Sequence, residues 1–279
     1  MTEPFGSRLE ASFTRYGHLC VGIDPHPYLL QEWGLPATAA GARDFGLRVV
    51  EATAGRAPLI KPQVAFYERY GSAGFAALED VLAAARETDL LVIGDAKRGD
   101  IGTTMDSYGE AWFADDSPLR VDAATAAAYQ GIGADAGFIA LARKAGRGVF
   151  LLAATSNPEA RETQTAILAT GSTVAAGIVG GVLRDNAASD QGMGSVGVVL
   201  GATVDLDDYG IDVESLASTP ILAPGFGAQG AQYSDVRRLF GAASGSVIVS
   251  ASRSLLHEGP GGLSRAVEAA SDEVTSCLA

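Results

Sequence analysis

Eight short apolar runs punctuate the chain, and their spacing restricts the available folds more than any other feature. They are HLCVGI (18–23), APLIK (57–61), DLLVIGD (89–95), LRVDAAT (119–125), GVFLLAAT (148–155), GSVGVVLGAT (194–203), PILAP (220–224) and SVIVSAS (246–252). Their apolar residues are nearly continuous rather than alternating with polar ones, as in parallel strands covered on both faces. The stretches AGARDFGLRVVEATAG (40–55), FAALEDVLAAARETD (75–89), RETQTAILATG (161–171) and QYSDVRRLFGAAS (232–244) have apolar residues at three- and four-residue spacing and read as helices. Eight strand-then-helix units in about 250 residues match an α/β fold of the (β/α)8 TIM-barrel type. A doubly wound open sheet is the alternative arrangement. The helix before the first strand would cap the bottom of the barrel, and 264–276 would be the last outer helix. No Pro/Ser-rich linker or composition break divides the chain, so residues 1–279 read as one domain.

Charge and composition narrow the function classes. The formal net charge of -13 opposes general binding of nucleic acid. It leaves room for an anionic small molecule held by a few cations in a pocket. Cys20 and Cys277 lack CxxC spacing, which points to reduced thiols rather than a disulfide framework or zinc site. His18, His26 and His257 have no metal-ligand spacing. The N-terminal residues include acids and no long apolar core, unlike a signal peptide. No apolar run approaches the ~20 residues that span a bilayer. A cytoplasmic location is the expectation.

In a barrel, chemistry sits at the C-terminal ends of the strands. Polar residues fall there without any appeal to a motif: Asp24, Lys61, Asp95 and Lys97, Thr155 to Asn157, and Arg253. The chain has seventeen arginines but only three lysines, and Lys61 and Lys97 both end expected strands. Lysine differs from arginine in that its ammonium can give up a proton. Asp95 and Lys97 are two residues apart, so they leave the same face if the strand stays extended. A carboxylate beside an ammonium favours the charged form and suits it to proton donation. A salt-bridged loop that merely closes the barrel accounts equally well for DAKRGD. Asp100 lies beyond the strand, where it is free to point elsewhere, including across an interface.

PGFGAQG (224–230) fits G-x-G-x-x-G literally, but the acid that a dinucleotide site wants at the next strand end is replaced by Arg253. Arginine and glycine-rich backbone suit a phosphate, and loops seven and eight of a barrel often bind one. Ser156 has no G-x-S-x-G setting, and redox chemistry lacks its fingerprint. Lyase chemistry with lysine and carboxylate groups survives this elimination.

VGIDPHP (21–27), IKPQVAFYE (60–68), GDAKRGDIGTT (94–104), AATSNPEA (153–160), APGFGAQG (223–230) and SASRS (250–254) together resemble the orotidine 5'-phosphate decarboxylase family, in its longer bacterial branch. The D-x-K-x-x-D-I-x-x-T string from Asp95 to Thr104 is highly specific. The resemblance implies a (β/α)8 barrel, a homodimer, a nucleotide substrate, and no metal or organic cofactor. It casts Lys97 as proton donor, Asp95 beside the substrate carboxylate, and Lys61 and Asp100 in the same array, which sums to zero charge. Asp100 and Thr104, with Ile101 between them, match residues lent to the partner subunit's site. Asp24 would hold ribose hydroxyls and Ser156 the pyrimidine. Pro224, Gly225, Gln229, Gly230 and Arg253 would surround the phosphate. Two departures stand out. Ser252 occupies a position that is glycine in many relatives, and AATAAAYQG (123–131) is poor in polar residues, a difference expected to touch packing more than chemistry. Three other readings use the same features: a Schiff-base aldolase, a metal-dependent sugar-phosphate decarboxylase, and a non-catalytic phosphate-binding barrel.

Overall fold

A computed structural model describes residues 2–189 and 192–279. Eight parallel strands, β1 (Leu19–Ile23), β2 (Leu59–Pro62), β3 (Leu91–Arg98), β4 (Ala123–Ala126), β5 (Gly148–Ala154), β6 (Val196–Leu200), β7 (Ile221–Pro224) and β8 (Val247–Ala251), pair in chain order. The ring closes where Leu19 of β1 meets Val249 of β8. The fold is therefore the (β/α)8 barrel and not the open sheet.

The continuous apolar runs conceal a period of two that the closed ring makes functional. Inward positions low in the barrel are apolar: Cys20, Leu59, Leu91, Ile93, Ala123, Phe150, Leu222 and Ile248 form one cluster. Two residues further up the same faces come Gly22, Lys61, Asp95, Thr125, Pro224 and Ser250. Strand pleating thus fills the lower interior with hydrocarbon and gives the upper mouth polar groups. Outward residues such as Val21, Ile60, Val92 and Val249 join the larger core beneath the helices.

Helix α1 (Phe5–Tyr16) packs Phe5, Leu9 and Phe13 into the lower interior cluster. Phe5 meets Phe150 edge-on at 5.9 Å, and a side chain at Gly148 would collide with the Phe5 ring. Burying each such side chain contributes about 1.5–3 kcal/mol.

Three local expectations are corrected. The fourth strand begins at Ala123, because Asp122 just before it is used as a hydrogen-bond acceptor rather than a strand residue. The helix expected at 161–171 stops early. A helix spans Pro158–Gln164, Ile167 bridges Thr173, and a new helix, Val174–Ser189, starts where Thr173 Oγ1 accepts the Ala176 N–H at 2.9 Å. Gly171, at φ 86°, makes the turn between them. Among the described residues, the β6–β7 connection carries only the 3₁₀ turns Asp207–Tyr209 and Val213–Leu216, so one of the eight units lacks its α-helix.

Candidate active site

The upper mouth holds a cavity of about 490 Å³, and Asp95 is the hub of its floor. Lys61 Nζ donates to Asp95 Oδ2 at 2.9 Å and Gln63 Nε2 to the same oxygen at 3.1 Å. Lys97 Nζ donates to Oδ1 at 2.5 Å and Thr125 Oγ1 to Oδ1 at 2.9 Å. Burial alone would raise the Asp95 carboxyl, but Lys61 and Lys97 hold it well below the usual carboxylate range. Burial would likewise lower Lys61, yet Asp95 and Asp24 hold its ammonium above the ordinary lysine value. Both amines line the cavity but differ in access: the Lys61 side chain is 10% exposed, whereas that of Lys97 is 45% exposed.

Lys97 does not meet Asp95 through simple alternation. The β3–β4 register breaks between Gly94 and Arg98, and Lys97 has φ 48°, the one non-glycine left-handed residue among those described. Such a conformation costs of order 1–3 kcal/mol. Thr125 supports it, since its Oγ1 accepts the Lys97 N–H at 2.9 Å while the same hydroxyl donates to Asp95. The Ala-rich fourth segment therefore contributes directly to the charged cluster, a correction to the expectation that it concerns packing.

Asp24 ends β1 and completes the local charge balance. Its Oδ2 accepts the Ser252 hydroxyl at 2.5 Å, and its buried Oδ1 has no partner among the described residues. Ser252 thus orients an acid facing the cavity and leaves one of its oxygens unspent. Across the mouth, Ser156, Pro224, Gly225, Gln229 and Arg253 also line the cavity. All three glycines of the 224–230 loop have positive φ, at 121°, 71° and 115°. Buried Phe226 anchors the loop, and the Gly227 N–H donates to the Ala231 carbonyl at 2.8 Å.

Four expected residues lie outside this cavity. Asp100 turns back to accept the Ile101 N–H at 2.8 Å, Ile101 is 62% exposed, and Thr104 is exposed on the helix Gly102–Phe113. Gly230 lines a neighbouring cleft behind the loop. Within one chain the expected array of Lys61, Asp95, Lys97 and Asp100 is consequently three groups, with Asp24 in place of the second acid. Sequence reasoning missed Gln63, Thr125 and Gln164, whose Oε1 accepts the Thr155 N–H at 2.9 Å, and it noted Ser252 only as a departure. The signal for Gln63 was its place two residues beyond Lys61, at the end of the second strand.

The sequence model of the orotidine 5'-phosphate decarboxylase / HUMPS family matches residues 17–266. The chain belongs to this family. Orotidine 5'-phosphate decarboxylases of Streptomyces coelicolor and of a Nocardioides species are 47% and 48% identical to it. These alignments cover 92% and 91% of this chain and 91% and 92% of the relatives. A crystal structure of a Streptomyces avermitilis protein assigned as an orotidine 5'-phosphate decarboxylase superposes with a TM-score of 0.94 at 44% identity. It covers 99% of this chain and 96% of the other. The barrel fold is shared with that structure over nearly its whole length.

Proposed function

We propose that this chain decarboxylates orotidine 5'-phosphate to uridine 5'-phosphate in pyrimidine biosynthesis, without a cofactor and with Lys97 as proton donor. The observation that carries the reading is the cavity-facing Lys97 amine, held 2.5 Å from Asp95 with Lys61 buried behind. Loss of carbon dioxide leaves an electron pair on a ring carbon with poor delocalisation. The Lys97 ammonium stabilises that charge in a preorganised pocket and delivers its proton to the same carbon. The amine is then reprotonated from solvent. Asp95 lies beside the departing carboxylate, Asp24 takes ribose hydroxyls with its free Oδ1, and Ser156 meets the pyrimidine. Arg253, Gln229 and the backbone of the 225–230 loop grip the phosphate, and that binding energy drives closure and water exclusion.

The working unit in this reading is a cytoplasmic homodimer in which each copy lends Asp100 and Thr104 to the other's site. Support comes from their position off their own cavity, next to the exposed apolar side chain of Ile101. For the metal-dependent alternative, no cluster of three His, Cys, Asp or Glu side chains suited to a metal is found among the described residues.

The test follows loss of orotidine-phosphate absorbance. Lys97→Ala and Asp100→Ala each lose roughly 10³-fold or more in kcat. Mixing the two variants restores up to about a quarter of wild-type activity, because random exchange gives mixed dimers with one intact site. An active Lys97→Ala enzyme overturns the proton-donor role. Confirmed subunit exchange without rescue overturns the shared site.

A further inference from the structure

On the barrel's opposite, N-terminal face, four arginines from separate parts of the chain line one cleft of about 270 Å³. They are Arg8 of α1, Arg86 at the end of the helix Gly71–Arg86, Arg120 before β4, and Arg147 before β5. Among the described residues, the acids that line the cleft are Asp89 and Asp122. Asp122 is fully engaged: Oδ1 accepts from Arg8 at 2.5 Å and from Arg147 at 3.0 Å, and Oδ2 accepts the Val92 N–H at 2.9 Å. Asp89 is drawn away by Arg15 and Tyr16 on its outer side. Asp115 reaches Arg147 at 3.6 Å, but its carboxyl is 84% exposed.

Arg86 and Arg120 are left without an acidic partner among the described residues. Arg86 donates only to the carbonyls of Pro118 and Arg120, both at 3.3 Å, and Arg120 donates to the carbonyl of Asp115. The Arg86 guanidinium is lowered by burial first and then by the like charge of Arg120, with Arg147 adding to this and Glu87 and Asp122 opposing it. A chain with 33 acidic and 20 basic residues has acids to spare, yet neither of these half-buried guanidiniums is ion-paired to one among the described residues. Each retains unspent N–H donors in a planar fork suited to oxyanions.

We propose that this cleft is a second anion site, binding a phosphate-type oxyanion between Arg86 and Arg120. The bound ion neutralises the surplus charge and ties together the plug helix α1, the end of the Gly71–Arg86 helix and the starts of β4 and β5. It thereby stabilises the lower half of the barrel without entering the catalytic mouth.

The probe is inorganic phosphate, titrated calorimetrically and by thermal denaturation at constant ionic strength against chloride. Three proteins are compared: wild type, Arg86→Gln/Arg120→Gln, and Arg253→Ala. Phosphate at ten times its Kd raises the wild-type Tm by about 3 °C or more. That binding survives in Arg253→Ala and weakens at least about tenfold in the double variant, whose turnover stays at the wild-type level. Arg120→Gln alone, which gives up one contact to a loop carbonyl, weakens binding about fivefold and serves if the double variant misfolds. Three outcomes each overturn the site: no binding in wild type, equal binding in all variants, or binding lost only in Arg253→Ala.

Discussion

Asp95 accepts four hydrogen bonds, close to the full capacity of a carboxylate, so its protonation is tied to the integrity of the whole cluster. Its lowered pKa contributes stability above the ordinary carboxylate value near 4, and that contribution is lost as pH falls through the depressed native value. Lys61 behaves oppositely. Its raised pKa contributes fully below the ordinary lysine value near 10.4 and is lost as pH rises through the native value. Asp95 and Lys61 are therefore both charged, and their pairing is stabilising, across the neutral range. Asp95→Asn leaves two ammonium groups facing each other and costs about 3–5 kcal/mol at pH 7 by urea denaturation. The deficit shrinks below about pH 4, where the wild type also loses the contribution. A deficit that stays constant through that range contradicts the assignment. Lys61, Asp95 and Lys97 were legible as residues because lysine is rare here and strand ends are where barrels expose polar groups. Their geometry was not, because the left-handed twist at Lys97 depends on Thr125 from another strand. Ser252 was legible only as a departure, since its hydroxyl acquires meaning from Asp24, 228 residues away.

Among the elements, α1 does the most with the least sequence signal. Its buried residues Phe5, Leu9 and Phe13 fall on one helical face, and Gly148 yields the space that Phe5 fills. Phe5→Ala opens the sealed end of the barrel at a cost of about 3–5 kcal/mol, read as a lower denaturation midpoint with unchanged m-value. A cost below 1 kcal/mol means that α1 merely lies on the surface. Strands were recoverable from the chain because continuous apolar runs of this length suit little else between helices. The 161–171 helix was misread because its apolar run through Ile167 and Leu168 meets no breaker before Gly171, whereas Gly171 and the Thr173 cap start a separate helix. Both side chains are in fact exposed. Spacing alone does not distinguish an outward apolar pair from a buried one.

At the scale of the molecule, the barrel separates its functions along the axis: hydrocarbon below, charge and polar groups above. This layering follows from strand pleating in a closed ring, and the chain reports it only once the register is known. One unit departs from the uniform wall. The β6–β7 connection has short turns in place of an outer α-helix, and it abuts the 224–230 loop, where the Ala202 N–H donates to the Pro224 carbonyl at 2.8 Å. These turns bury Leu206, Tyr209, Ile211 and Leu216 but have fewer internal hydrogen bonds than an α-helix, so the wall opens at this seam first. Deuterium uptake is expected to be fastest in the 203–216 amides, compared with those of the buried strands. Adding uridine 5'-phosphate slows uptake in both this stretch and 225–231, whereas uniform protection around the ring rules the seam out. The thin side is then a relief joint: the mouth can tighten on its nucleotide while the amine at its floor stays in register.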